Sequence, residues 1–125
     1  MISKLQAAIY QKLTTELPIA VYDAVPGGAS LPYLVLGEDF VADYSTKDHV
    51  GENALITIHV FSRHQGMKEV KSIAESVIAL LRDGVAINGA MLCYSGLDTM
   101  RFIVEDDGIR HGVVKLRFKI LRIER

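Results

Sequence analysis

The residues Val114, Leu116, Phe118 and Ile120 alternate with Lys115, Arg117 and Lys119. A period of two marks a strand with one apolar face and one wet face. A chain carrying such a strand must build a sheet, and its other segments must cover the sheet's apolar side. Just before it, Asp107-Gly108 follows a strand over Met100–Glu105 and marks a hairpin. The favoured two-residue turn there places both central residues at positive φ. A long hairpin over Met100–Arg125 is therefore expected, with Met91–Leu97 as a separate strand after Asn88-Gly89.

Further strands precede these. In Ala54–Phe61, Ile56, Ile58 and Val60 share one face while Leu55, Thr57, His59 and Phe61 share the other. Apolar residues on both sides predict a central position in the sheet. Tyr33–Leu36 is also apolar on both faces, predicting cover on both sides, before it turns polar at Glu38 and Asp39. Ile19–Val25 is a short apolar run broken by Pro26-Gly27-Gly28, and Pro32 pushes Leu31 towards an extended conformation. The polar stretch from Asp43 to Asp48 has no periodicity and reads as a surface loop ending near Gly51.

Two helices can cover this sheet. Ile2, Leu5, Ile9 and Leu13 form one stripe, which Pro18 stops. Val70, Ile73, Ala74, Val77, Leu80 and Leu81 form a broader one that starts between Arg63 and Met67 and ends at Gly84. Ser3 with Gln6, and Ser62 with Gln65, have capping-box spacing at the two starts. Ile78 falls off the main stripe and is expected at the surface. The fold class is α+β: a mixed or antiparallel sheet with two helices packed on it, in one domain over residues 1–125.

Composition narrows the function. The 125 residues are 50% hydrophobic, enough for one core, and the net charge of −1 lacks the basic excess of a general nucleic-acid or membrane-surface binder. Cys93 is the only cysteine, so an intrachain disulfide and a cysteine-based zinc site are excluded. No stretch approaches the roughly 18 apolar residues that span a bilayer. The amphipathic N-terminal segment does not read as a signal peptide, and a soluble cytoplasmic product is expected. The histidines His49, His59, His64 and His111 show no ligand-pair spacing, so no metal or other cofactor is assigned. Asp106 and Asp107 are read as turn residues, and Ser95-Gly96 lacks a nucleophile elbow. No catalytic residue is assigned.

The Lys115, Arg117 and Lys119 row is the one suggestive charge feature. It is read first as solvated or paired with Glu38, Asp39 or Glu52, then as a contact for acidic residues of a neighbouring chain, then as a phosphate contact. The edge of a long strand also suits pairing between chains.

Several stretches together resemble one family. They are Val21-Tyr22-Asp23-Ala24-Val25-Pro26, and Leu31-Pro32-Tyr33 leading to Gly37-Glu38. Gly51-Glu52 leads on through Ile58-His59-Val60 to Ser62-Arg63 and Gly66-Met67-Lys68-Glu69-Val70. Asp106-Asp107-Gly108 is followed by Arg110-His111-Gly112-Val113 and Arg117. In this order they resemble the tail-completion (tail-terminator) proteins of long-tailed phages and prophages, over nearly the whole chain. The resemblance implies a structural, non-enzymatic subunit. Its copies would form a ring, a hexamer, at the head-proximal end of the tail tube; a free monomer is expected if ring closure waits for the tube end. It implies the tail tube protein and the head connector as partners; the near-neutral charge adds the expectation of no membrane and no specific nucleic acid. It also implies the host cytoplasm during assembly and the virion afterwards. Competing classes are another head–tail joining or neck protein, a small-ligand protein or enzyme, and a nucleic-acid binder using the Lys115 face. The residues expected at protein interfaces are Asp43 and Lys47 in the polar loop, which is expected to order on docking. The others are Ile78 on the second helix and Lys115, Arg117 and Lys119 on the hairpin.

Overall fold

A computed structural model describes residues 1–123; Glu124 and Arg125, the end of the expected hairpin, lie outside the described residues. The chain runs α1 (Ile2–Glu16), β1 (Ala20–Tyr22), β2 (Tyr33–Asp43), β3 (Gly51–Ser62), α2 (Lys68–Arg82), β4 (Ala90–Val104) and β5 (Arg110–Arg122). The five strands form one sheet in the order β1-β2-β3-β5-β4. β1 is parallel to β2, and the other neighbours are antiparallel. The α+β class and the central place of β3 are as expected.

The periodicities decide which side is buried. Val114, Leu116, Phe118 and Ile120 of β5 are fully buried, as are Ile58 and Val60 of β3 and Leu34 of β2. They join Leu5, Ile9 and Leu13 of α1 and the apolar stripe of α2 in one core. Both helices therefore lie on the same face of the sheet. Among the described residues no helix lies on the opposite face. Tyr33 was expected to be covered on that side; instead its ring packs edge-on against Tyr22 (5.5 Å) and beside Phe61 (5.6 Å). Neighbouring rings do the work of a covering layer.

Ile78 departs from expectation, being buried at 6% exposure. The buried stripe of α2 is Val70, Ile73, Ala74, Val77, Ile78 and Leu81, while Leu80 is only partly covered. The reason is that α2 touches α1 as well as β3, β4 and β5. A helix with neighbours on two sides buries a wider arc than a surface stripe suggests.

Neither expected capping box forms. Met1 and Met67 are the N-caps, without side-chain hydrogen bonds. β3 runs on to Ser62, which places it too far upstream of α2 to cap it. Its buried hydroxyl donates to Glu69 (2.5 Å) and accepts from the His64 N–H (3.2 Å), turning the chain into the helix. At the other end Gly84 (φ +92°) closes α2 as expected. Leu17, before Pro18, is extended (ψ 140°) and ends α1.

The two strands expected over Met91–Leu97 and Met100–Glu105 are one strand, β4, with register shifts at Leu92/Tyr94 and Leu97/Thr99. Bulges absorb the residues that looked like a break. The β4–β5 turn also differs: only Gly108 takes positive φ (+85°), and Glu105 N–H donates to Ile109 O (2.8 Å). This is a three-residue Asp106-Asp107-Gly108 loop with glycine in the left-handed position. The polar loop after Asp43 closes a β2–β3 hairpin through its own hydrogen bonds. Tyr44 N–H donates to Gly51 O (2.9 Å), and Ser45 Oγ donates to Asp43 (2.7 Å) and accepts from Gly51 N–H (3.1 Å).

Candidate interaction surface

The helix-free face of the sheet gathers most of the polar chemistry. Its residues come from alternate positions of β2, β3, β5 and β4, because side chains on a strand alternate sides. Arg117 lies on this face and donates to Asn53 (2.9 Å) and Asp98 (3.1 Å). Lys119 stands over the rings of Tyr44 (5.4 Å) and Tyr94 (5.8 Å). Lys115 lies near enough to Glu38 to help lower its pKa. The charge row is thus largely tied within the molecule, and Arg117 uses Asp98 rather than the expected Glu38, Asp39 or Glu52. The row also sits on β5, an interior strand, so the free edge expected on this hairpin belongs to β4.

The other expected interface residues are scattered. Asp43 is exposed but engaged with Ser45, and Lys47 is exposed at the tip of the β2–β3 hairpin. Ile78 lies in the core on the opposite side of the sheet, so it offers no surface in the free subunit. The structure does not bring these residues into one patch.

It does bring together four groups that the sequence leaves far apart. His59 Nδ1 lies 2.7 Å from His111 Nε2. The outer nitrogens face carboxylates: His59 Nε2 is 3.1 Å from Glu38, and His111 Nδ1 is 2.6 Å from Glu105. A carboxylate accepts, so each outer nitrogen is the donor in its bond, while the roles of the two inner nitrogens depend on the tautomers. Phe61 stacks on His111 at 4.3 Å. Among the described residues no hydroxyl or thiol is bonded to this chain, and both ends are acceptors. It therefore ties β2, β3, β5 and the β4–β5 turn together and does not pair a base with a nucleophile. The groove beside it, about 340 Å³, is lined by Tyr33, Phe61, Glu105, Asp106, Asp107 and Ile109. Glu38 is held below the usual carboxylate range, first by its own backbone N–H and then by His59. His59 and His111 are 52 residues apart and no local spacing points to their meeting; only the β3–β5 pairing, which sets Phe61 opposite His111, does.

Two further features mark the surface. β1 pairs only with Tyr33, Leu34 and Val35, so among the described residues no strand lies beside the outer edge of β2 beyond the Leu36/Asp39 bulge. Phe40 on that arm is 68% exposed. At the far end of the sheet β4 has an open edge carrying exposed Met91, Tyr94, Met100 and Val104. Neither edge is apparent from local sequence, because strand order decides which strands are outermost. Among the described residues no group of three or more histidine, cysteine or acidic side chains is arranged to hold a metal, and no helix is long and apolar enough to cross a membrane.

Comparison with known proteins agrees with this surface-dominated picture. The chain is 30% identical over 91 residues to tail completion protein gp17 of Bacillus phage SPP1, covering 71% of this chain and 67% of that protein. Its fold is similar to a chain in the solved virion of a native gene transfer agent particle, with a TM-score of 0.87, 27% identity and 96% of each chain covered. Such relatives are structural parts of phage tails and phage-like particles. The family model described as tail completion protein gp17 matches residues 5–121, and the chain belongs to that family of phage tail structural proteins.

Proposed function

We propose that copies of this chain close into a ring, a hexamer, on the head-proximal end of the tail tube. There the ring ends tube growth and presents a docking surface to the head connector. The observation that supports this most directly is the pair of open strand edges at opposite ends of one sheet. Different patches on the two sides of a subunit make a heterologous contact, and such contacts close into rings when the rotation allows. The bonded clasp of Glu38, His59, His111 and Glu105 stiffens the sheet between those edges. The partners in this reading are other copies of the chain, the tube protein and the connector. The subunit is monomeric when free, and assembly takes place in the host cytoplasm before the protein becomes part of the virion. Lys47, at the hairpin tip, and the Lys115–Lys119 face contribute to the contacts with tube or connector.

Electron microscopy of tails assembled with and without the protein tests this reading. With it, tubes end in a capped ring and join heads; without it, tubes are uncapped, irregular in length and unattached. A chain that neither rings nor binds tube ends under any condition would refute the reading. Capture by connectors but never by tubes would make it a head–tail joining protein instead.

A further inference from the structure

The ring reading leaves open which surfaces meet. We infer that the free arm of β2, Asp39–Asp43, pairs antiparallel with the lower half of β4, Ala90–Leu97, of the next copy, so that one sheet continues from subunit to subunit. This inference rests on the ring reading and specifies its interface.

The first support is topological. A strand at a sheet edge presents a row of unpaired N–H and C=O groups, and proteins normally cover or blunt such edges. Here the β2 arm extends past β1, and β4 has a neighbour on one side only. Both carry exposed apolar side chains: Phe40 and Val41 on one, Met91 and Tyr94 on the other. A second copy supplies both missing neighbours at once.

The second support is level. Ala42 pairs with Asn53, Asn53 with Lys119, and Lys119 with Tyr94. These four residues form one row across the whole sheet. The β2 arm and the lower half of β4 therefore lie at the same height, and rotation about an axis along the strands brings one against the other. β4 is antiparallel to β5, β5 to β3 and β3 to β2. The direction of β4 is thus opposite to that of β2, and the joined pair is antiparallel.

The third support is charge. β2 contains Glu38, Asp39 and Asp43 and no basic residue. The facing segment of β4, Ala90–Leu97, contains no charged residue. Two acidic arms would repel each other, whereas an acidic arm beside an uncharged segment meets no like charge, so unlike edges are favoured over β2 against β2.

Cys93 makes the inference testable. This exposed thiol is the extra residue of the Leu92/Tyr94 bulge, beside the end of the row. Exposed Ala42 is its counterpart on the β2 arm. Rings assembled on tube ends are treated with a short bis-maleimide and run under denaturing conditions. Ala42→Cys is expected to give a ladder of covalent species beyond the dimer. The wild type and the Ala42→Cys, Cys93→Ser variant are expected to remain monomeric. Dimers from the wild type would mean β4 meets β4, and dimers from the double variant would mean β2 meets β2; either overturns the inference. Rings visible by microscopy without any ladder would overturn it too while leaving the ring reading intact. Absence of rings for the wild type would instead remove the ring reading itself.

Discussion

Replacing Ile78 with alanine separates a buried helix position from an exposed one. In the structure the side chain is 6% exposed and belongs to the core beside Ala74, Val77 and Leu81. Ile78→Ala removes three carbons, and at about 0.8 kcal/mol for each buried carbon the transfer loss is roughly 2.4 kcal/mol. Incomplete collapse around the gap adds to this, for a total of about 2.5–4 kcal/mol. At about 0.05–0.15 kcal/mol per residue, total stability is roughly 6–19 kcal/mol, so the loss is a sizeable share of it. For a chain of this size a loss of 1 kcal/mol lowers Tm by about 4 °C, giving a drop of about 10–16 °C. Urea unfolding of the free subunit followed by circular dichroism measures it, with an unchanged slope showing that the transition remains two-state. Leu80→Ala, at a partly covered position, is the internal control and should cost less. A loss below about 0.5 kcal/mol for Ile78→Ala, the range of ordinary surface changes, would refute the packing of α2 described above.

Ser62→Ala removes a fully buried hydroxyl that serves Glu69 and the His64 N–H. It should destabilise the subunit by about 1–3 kcal/mol in the same urea assay. At Gly51 an added Cβ would lie 2.8 Å from Tyr44 O and 3.0 Å from Ile120 O, both backbone atoms. Gly51→Ala should therefore cost about 1–3 kcal/mol and speed amide exchange in the β2–β3 hairpin; unchanged exchange and stability would contradict the close approach. Burial first, then the charges of Glu38 and Asp23, raises the pKa of Asp39. The folded state thus holds this proton more tightly than the unfolded chain. Its contribution to stability rises as pH falls from the raised folded value to the ordinary aspartate value. Asp39→Asn should stabilise the subunit at neutral pH and remove that rise. Glu38 is shifted the other way, so its contribution is present above the ordinary glutamate value and fades as pH falls through the lowered one. Glu38→Gln should flatten that acid-side loss in pH-dependent urea melts.

What the chain's local pattern determines and what it leaves to packing divide along a physical line. Alternation in Val114–Ile120, the stripes Leu5–Leu13 and Val70–Leu81, and Pro18 and Gly84 are local signals acting over a few residues. They suffice for the two helices, for β3 and β5, for most of the buried faces and for the α+β class, though not for the continuity of β4. Spaced motifs along the chain also suffice for the family. Strand order is not local. The sequence has no short-range feature that inserts β5 between β3 and β4, yet that insertion puts the lysine row inside the sheet and leaves β4 at the edge. The same pairing brings His59 to His111 across 52 residues and completes a clasp with Glu38 and Glu105. The contact between α1 and α2 buries Ile78 from a direction the helix's own periodicity does not encode. Side-chain period is a property of one element, whereas edges, clusters and interfaces depend on which elements become neighbours. That choice is made by the free energy of the whole fold.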